Sequence, residues 1–410
     1  MIERLPNGLT LGFRQMPGRQ TVRICVASRI SSRHEKKTES GLTHFCEHVL
    51  LGGTKEIDSQ TVKREIELLG GGLNAFTAHD MVSIEGDFAE QDFCKALDLL
   101  GDLFFHPAFS RSFVEQERKV ILQEIAESLD DPWETVSQEA YDLFYHSRGV
   151  GAGILGSADD VKGFKTRQLR NHWKNVSATG NCIIYVVGNI SEANMDYARE
   201  RYGHLPQGPG ITTKKTKTYK GKRGVSQKEK DQVYISILFE APPLEDHVGR
   251  IETEVLSSIL GEGMNSRIWK SVREKMGAAY DARSSAQFFR KNGHLELVAA
   301  LAPKKWEMAM DGMIDELRKI AEKGPTKKEV GCAVKGLIRS ATIMGDDPLT
   351  LSSTDIASMC FGQKEFSFDN RKELISKITQ KDVRNIAARI FEGGEPTIQV
   401  LGPVDPDYFS

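Results

Sequence analysis

The sequence predicts an α+β fold of two homologous domains, each a mixed sheet backed by helices. Three observations carry that prediction. The chain has 410 residues, more than one hydrophobic core ordinarily organises and comfortable for two domains of about 200 residues each. Segments with strand periodicity and segments with helix periodicity recur in the same order in each half. Between the halves, LPQGPGITTKKTKTYKGKRG (205–224) is rich in Gly, Pro, Thr and Lys and nearly free of apolar side chains, so it suits a linker rather than a core. The expected organisation is an N-terminal domain over 1–205, a linker over 206–224 and a homologous C-terminal domain over 225–410.

The elements follow in chain order. MIERLPNGLTLGFRQ reads as a first strand and turn, and TVRICVASRI (21–30) as a strand leading through a polar loop into a helix that begins near Gly41. After a Gly-Gly break, MVSIEGDF (81–88) alternates like a half-exposed strand. FCKALDLLGDLF (93–104) carries apolar residues at helical spacing, and RSFVEQERKVILQEIAESLDDP (111–132) is a strong helix stopped by Asp130-Asp131-Pro132. The second half repeats the plan. The strand QVYISILFEA (232–241) leads into a helix near Gly249, and the strand HLELVAALA (294–302) precedes the helix MAMDGMIDELRKIA (308–321). Strands often neighbour strands, which favours α+β over a doubly wound parallel sheet.

Composition narrows the function. With 39% hydrophobic and 27% charged residues and a formal net charge of −2, no whole-protein field draws nucleic acid or an anionic membrane. No stretch approaches the ~20 apolar residues of a spanning helix, and the N-terminus has no basic-then-apolar leader. Cys25, Cys46, Cys94, Cys182, Cys332 and Cys360 form no CxxC pair and read as reduced, mostly buried thiols. A cytoplasmic protein is expected, with no nucleic acid and no membrane among its partners. The basic cluster at Lys214, Lys215, Lys217, Lys220, Lys222 and Arg223 is explained by a solvated linker as well as by an acidic partner.

The chemistry is concentrated in GLTHFCEH (41–48), set among Leu42, Phe45, Val49, Leu50 and Leu51 and running into Gly52-Gly53. On a helix, residues four apart share a face, so His44 and His48 can place two imidazoles on one metal. Glu47 lies near that face without having to be a ligand. This is HxxEH, the reverse of HExxH, with the same logic of zinc plus base. A chance match, or a polar surface patch, is the bland alternative. Against it, a carboxylate beside two imidazoles in an otherwise apolar helix is costly unless a cation compensates. A catalytic zinc needs a third protein ligand and an open fourth position. The helix at 111–132 offers Glu117, Glu124 and Glu127, and spacing alone does not choose among them.

These residues together resemble the inverzincin, or pitrilysin-type, peptidases, whose pattern is HxxEH followed after some 75 residues by a glutamate that completes the zinc site. Here 75 residues (49–123) separate His48 from Glu124. The resemblance implies a zinc ion on His44, His48 and Glu124, with Glu47 as general base and Glu117 supporting the site without binding metal. It extends to LGGGLNAFTAHD (69–80), implying a substrate-binding edge strand at Asn74, Ala75, Phe76 and Thr77, and to RIWKSVREKMGAAY (267–280), implying Arg273 and Tyr280 as donors to the substrate carbonyl and oxyanion. Taken without the family, those two are a surface arginine and a half-buried tyrosine in a helix-like segment that a glycine interrupts. RIETEVLSSILGEG (250–263), at the place of the zinc helix, holds no histidine, so one metal per chain is expected.

The implied function is a zinc-dependent endopeptidase acting on short or unfolded peptides held as an extended strand. Its two domains would form half of a clamshell, closed by an identical chain (a homodimer) or by a related one (a heterodimer). Two other readings compete: a non-catalytic partner subunit of a two-chain peptidase, and a peptide-binding module with structural zinc. Retention of His44, Glu47, His48 and Glu124 speaks against the first, and a cleavage assay with and without chelator separates both from the enzyme.

Overall fold

Two sheets of one topology organise the chain. The computed structural model describes residues 1–360, without the side chain of Cys360, and 368–409. The first sheet contains β1 (Ile2–Arg4), β2 (Thr10–Gln15), β3 (Thr21–Ser28), β4 (Gly72–Thr77), β5 (Val82–Ala89) and β6 (Cys182–Gly188), in the order β1-β2-β6-β3-β5-β4. The second contains β7 (Arg223–Gln227), β8 (Val233–Glu240), β9 (Ala279–Phe288), β10 (Gly293–Leu301) and β11 (Thr397–Gly402), in the order β7-β11-β8-β10-β9. With β1 set aside, the pairings correspond one to one. A parallel pair, β2–β6 or β7–β11, is followed by three antiparallel pairs. The diverged repeat is therefore written in the topology of the sheets, and the α+β class holds.

Compactness divides the chain differently from chain order. One unit contains Met1–Ala126, Ala152–Thr213 and a stretch from Met344 that carries the helix Pro348–Cys360. The other contains Glu127–Gly151, Lys214–Ile343 and the described chain from Phe368 onward. Each unit thus takes one helix from the opposite half of the sequence. In the first, Ile356 and Met359 of the helix Pro348–Cys360 pack on Cys25, Ala27, Ile183, Tyr185 and Val187, the sheet face turned away from the main core. In the second, Ala140, Phe144 and Tyr145 of the helix Pro132–Tyr145 cover Leu238 in the same way. The chain passes between units at Thr213/Lys214, inside the expected linker. That linker is not a free tether, because Lys215 and Lys220 both pair with Glu240, at 2.9 and 2.8 Å.

The extra helix corrects the expectation of a half-exposed strand at 81–88. Val82, Ile84 and Phe88 enter the main core, and the opposite face is covered as well, leaving Ser83 and Glu85 at 0% and 4% exposure. Glu85 accepts a 2.7 Å hydrogen bond from Arg23 Nη2, whose Nε donates to Ser352 Oγ at 3.0 Å. The buried charge of Glu85 is thus paired through Oε1, whereas Ser83 Oγ and Glu85 Oε2 find no hydrogen-bond partner among the described residues and Asp87 stays exposed. Cys25, Cys46 and Cys182 are buried thiols, Cys94 is half-buried and Cys332 is exposed, whereas the side chain of Cys360 lies outside the described residues. Among the described residues no helix is long and apolar enough to cross a membrane.

Candidate metal centre

The motif helix spans Leu42–Val49 and is buried at every position except the half-buried His48. Phe45, Cys46 and Val49 anchor one side in the main core. The helix tightens into a 3-10 turn at Leu50–Gly52 and stops at Gly53, whose φ of +98° suits glycine. His44 and His48 consequently stand one turn apart on one face, with ring centroids 4.6 Å apart.

The expected helix at 111–132 is Arg111–Asp130, and Asp131 caps the next helix by accepting from the Trp133 amide at 2.7 Å. Val114, Ile121 and Ile125 are its buried stripe. Glu117 and Glu124, seven residues apart, flank that stripe on a common face and meet the two histidines. Glu117 Oε2 is 3.2 Å from His48 Nδ1, while Glu124 Oε2 lies 3.3 Å from His48 Nε2 and 3.8 Å from His44 Nε2. One ligand atom each from His44, His48 and Glu124 all fall within 4.8 Å of one another.

The donor set fits a divalent cation. Tetrahedral coordination with bonds of ~2 Å needs ligand atoms roughly 3.3 Å apart; Glu124 meets this against His48 at 3.3 Å and nears it against His44 at 3.8 Å, with all three atoms inside 4.8 Å. Burial, then the neighbouring charge of His48, pushes His44 down to about 3, so that its ring is neutral and offers a lone pair. Its Nδ1 is buried and has no hydrogen-bond partner among the described residues. Burial would also depress His48, but the hydrogen bond to Glu117 and the charges of Glu47, Glu124 and Glu117 more than offset it and hold it above the usual value. A histidine whose second nitrogen meets a carboxylate is the common arrangement around metal ligands.

Glu47 is 8% exposed and is not a member of the ligand triad. Burial raises its carboxyl above the ordinary range, opposed by His48 and by a 3.1 Å hydrogen bond that Thr77 Oγ1 donates to Oε2. Thr77 is on β4, the terminal strand of its sheet, paired through Asn74↔Glu85, Ala75↔Ile84, Phe76↔Ser83 and Thr77↔Val82. Alternation puts Ala75 and Thr77 on the helix side and the exposed Asn74 with Phe76 on the other. Arg273 and Tyr280 belong to the second unit and are exposed. The helix-like segment expected there is a π-helical turn, Trp269–Lys275, broken at Gly277 with φ of +56°. Tyr280 therefore lies on strand β9, and Arg273 Nη1 donates to its carbonyl oxygen at 3.0 Å while stacking 4.0 Å over Trp269.

Sequence reasoning missed Glu35, which accepts from the Gly41 and Thr43 amides at the start of the motif helix, at 2.9 and 2.6 Å. The available signal was a glycine, which has no side chain to cap with, at the expected helix start Gly41.

An α+β protein of two topologically matched units, with two histidines and a glutamate converging beside a further buried glutamate, defines a protein with a candidate divalent-metal site. Comparison supplies the family. Residues 13–157 match the family described as insulinase (peptidase family M16), and residues 164–337 match the peptidase M16 inactive domain. The chain belongs to the M16, pitrilysin-type family. It is 28% identical over 407 residues to an uncharacterized zinc protease of Rickettsia felis, covering 98% of each chain. An uncharacterized zinc protease of Streptomyces coelicolor is 27% identical over 98% of this chain and 89% of its own. The fold is similar to a protease from Helicobacter pylori (TM-score 0.92, 18% identity, 98% and 99% of the two chains) and to a peptidase M16 inactive domain from Pseudomonas fluorescens (TM-score 0.92, 17% identity, 99% and 98%).

Proposed function

We propose that this chain is a zinc-dependent endopeptidase that hydrolyses short or unfolded peptides, with His44, His48 and Glu124 holding the metal. The observation that carries the reading is the convergence of those three ligand atoms within 4.8 Å beside a buried carboxyl, Glu47, that is not needed to bind the ion. Zinc bound there supplies Lewis acidity, activating water and polarising the scissile carbonyl. Glu47 takes the proton of the attacking water and returns it to the leaving amine as the C–N bond breaks. Its raised proton affinity suits that shuttle, and Thr77 steadies the carboxyl through Oε2. Glu117 holds the His48 ring through Nδ1. The peptide adds to β4 as an extended strand, so main-chain hydrogen bonds supply affinity with little regard to sequence. Arg273 and Tyr280 act as donors to the substrate carbonyl and the oxyanion from a second, identical or related, two-domain chain that closes the chamber.

The test is cleavage of an unstructured peptide library by the purified protein, before and after chelation and after zinc is restored. Cleavage lost with the metal and regained with zinc is expected. Cleavage indifferent to chelation, or no cleavage by the zinc-loaded protein, overturns the proposal.

A further inference from the structure

We propose that Glu35 is a positioning residue that pins the first turn of the motif helix and thereby sets the aim of His44, Glu47 and His48; the inference rests on the peptidase reading of that site. The motif helix has only eight residues, Leu42–Val49. Its first amides have no intrahelical acceptor and need one from elsewhere. Residue 41 cannot supply it. Gly41 adopts φ of +87°, and a Cβ there would stand 2.4 Å from the Leu155 carbonyl oxygen and 2.9 Å from Gly156 Cα. No capping side chain fits at that position, because the strand of chain beside it occupies the space.

Glu35 supplies the missing acceptor from six residues upstream. Its Oε2 accepts from the Gly41 amide at 2.9 Å and its Oε1 from the Thr43 amide at 2.6 Å. One carboxylate thus closes both donors, and its charge faces the positive end of the helix. Thr43 is further tied to the helix Thr166–Val176 through Oγ1 and His172 Nε2, 2.8 Å apart. His44 is the next residue. Loosening this turn moves the first ligand relative to the second, which is separately anchored by Glu117. Burial pushes the Glu35 carboxyl up to about 7 against the pull of the Thr43 and Gly41 hydrogen bonds, so this is a costly group to keep and its partners are what retain it.

The experiment compares wild type, Glu35→Ala and Glu35→Gln by hydrogen exchange over the motif helix, by zinc affinity in chelator competition, and by kcat and KM on one peptide. Glu35→Gln keeps the shape and one acceptor oxygen, so it folds even if Glu35→Ala does not. Exchange at the Gly41 and Thr43 amides should speed up about tenfold or more in Glu35→Ala. Zinc affinity should fall about 10–100-fold, and kcat should drop while KM holds. Glu35→Gln should lie between the two on every readout. Unchanged amide protection in both variants overturns the proposal, as does lost protection with unaltered zinc affinity. The exchange readout needs neither metal nor turnover, so a wild type that fails to bind zinc or cleave peptide would refute the peptidase reading while leaving the role of Glu35 to be judged on the amides.

Discussion

Glu117 and His48 are joined through Nδ1 at 3.2 Å, and that contact turns the opposite nitrogen of the ring, Nε2, to within 3.3 Å of Glu124. In the proposed site two glutamates on one helix therefore take different tasks, one orienting a histidine and the other standing among the proposed ligands. Substitution separates them. Glu124→Gln should abolish stoichiometric zinc, whereas Glu117→Gln should weaken zinc binding by about 10–100-fold. Metal content after dialysis against graded chelator decides the matter, and a Glu117 variant that loses metal more readily than the Glu124 variant would reverse the assignment.

Glu47→Gln should retain zinc and fold and lose peptidase activity by about 10²–10⁴-fold, the usual worth of a positioned proton acceptor. Elemental analysis and turnover on the same preparation test it. Loss of metal would make Glu47 a ligand instead.

His172 makes stability depend on pH. Burial holds it down to about 4, with the charge of Glu39 opposing and those of His34 and Lys36 assisting. An unfolded histidine titrates near ~6.5, so between the two values the unfolded state binds a proton that the folded state refuses. Its contribution is present above the unfolded value and is lost as pH falls toward 4, at a limiting slope of about 1.4 kcal/mol per pH unit. Urea unfolding from pH 7 to 4 should show this decline, and His172→Gln should reduce its slope by about that amount, leaving the share of His44 and His79, which burial also holds down. An equally steep decline in the variant would assign it to other groups.

Assembly is tested by mixing two inactive variants. If Arg273 and Tyr280 serve the metal site of a partner copy, Glu47→Gln and Arg273→Ala should recover activity after subunit exchange. Random mixing caps the recovery at about a quarter of wild type, since only one of two sites in a mixed dimer is intact. Activity that stays at the single-variant level after demonstrated exchange, or a strictly monomeric mass, would count against a shared site.

Much of this protein is local and so was legible in its residues. Helical spacing alone puts His44 and His48 on one face, short apolar runs make the strands Thr21–Ser28 and Gly293–Leu301, and the Asp131-Pro132 pair ends one helix and begins another. The matched order of such segments in the two halves foretold the matched sheets. The third proposed ligand was a different matter, because composition and spacing on the helix at 111–130 left three acids open and only the family pattern preferred Glu124. Its placement against both histidines depends on how that helix packs beside the motif helix, which is a property of the tertiary fold. The same holds for Glu35, whose role arises because the chain around Leu155 fills the space a capping side chain at residue 41 would need. The helices Pro132–Tyr145 and Pro348–Cys360 also cover sheets built by the other half of the sequence. No periodicity records such an exchange, since an amphipathic stripe specifies that a face be buried but not which sheet buries it.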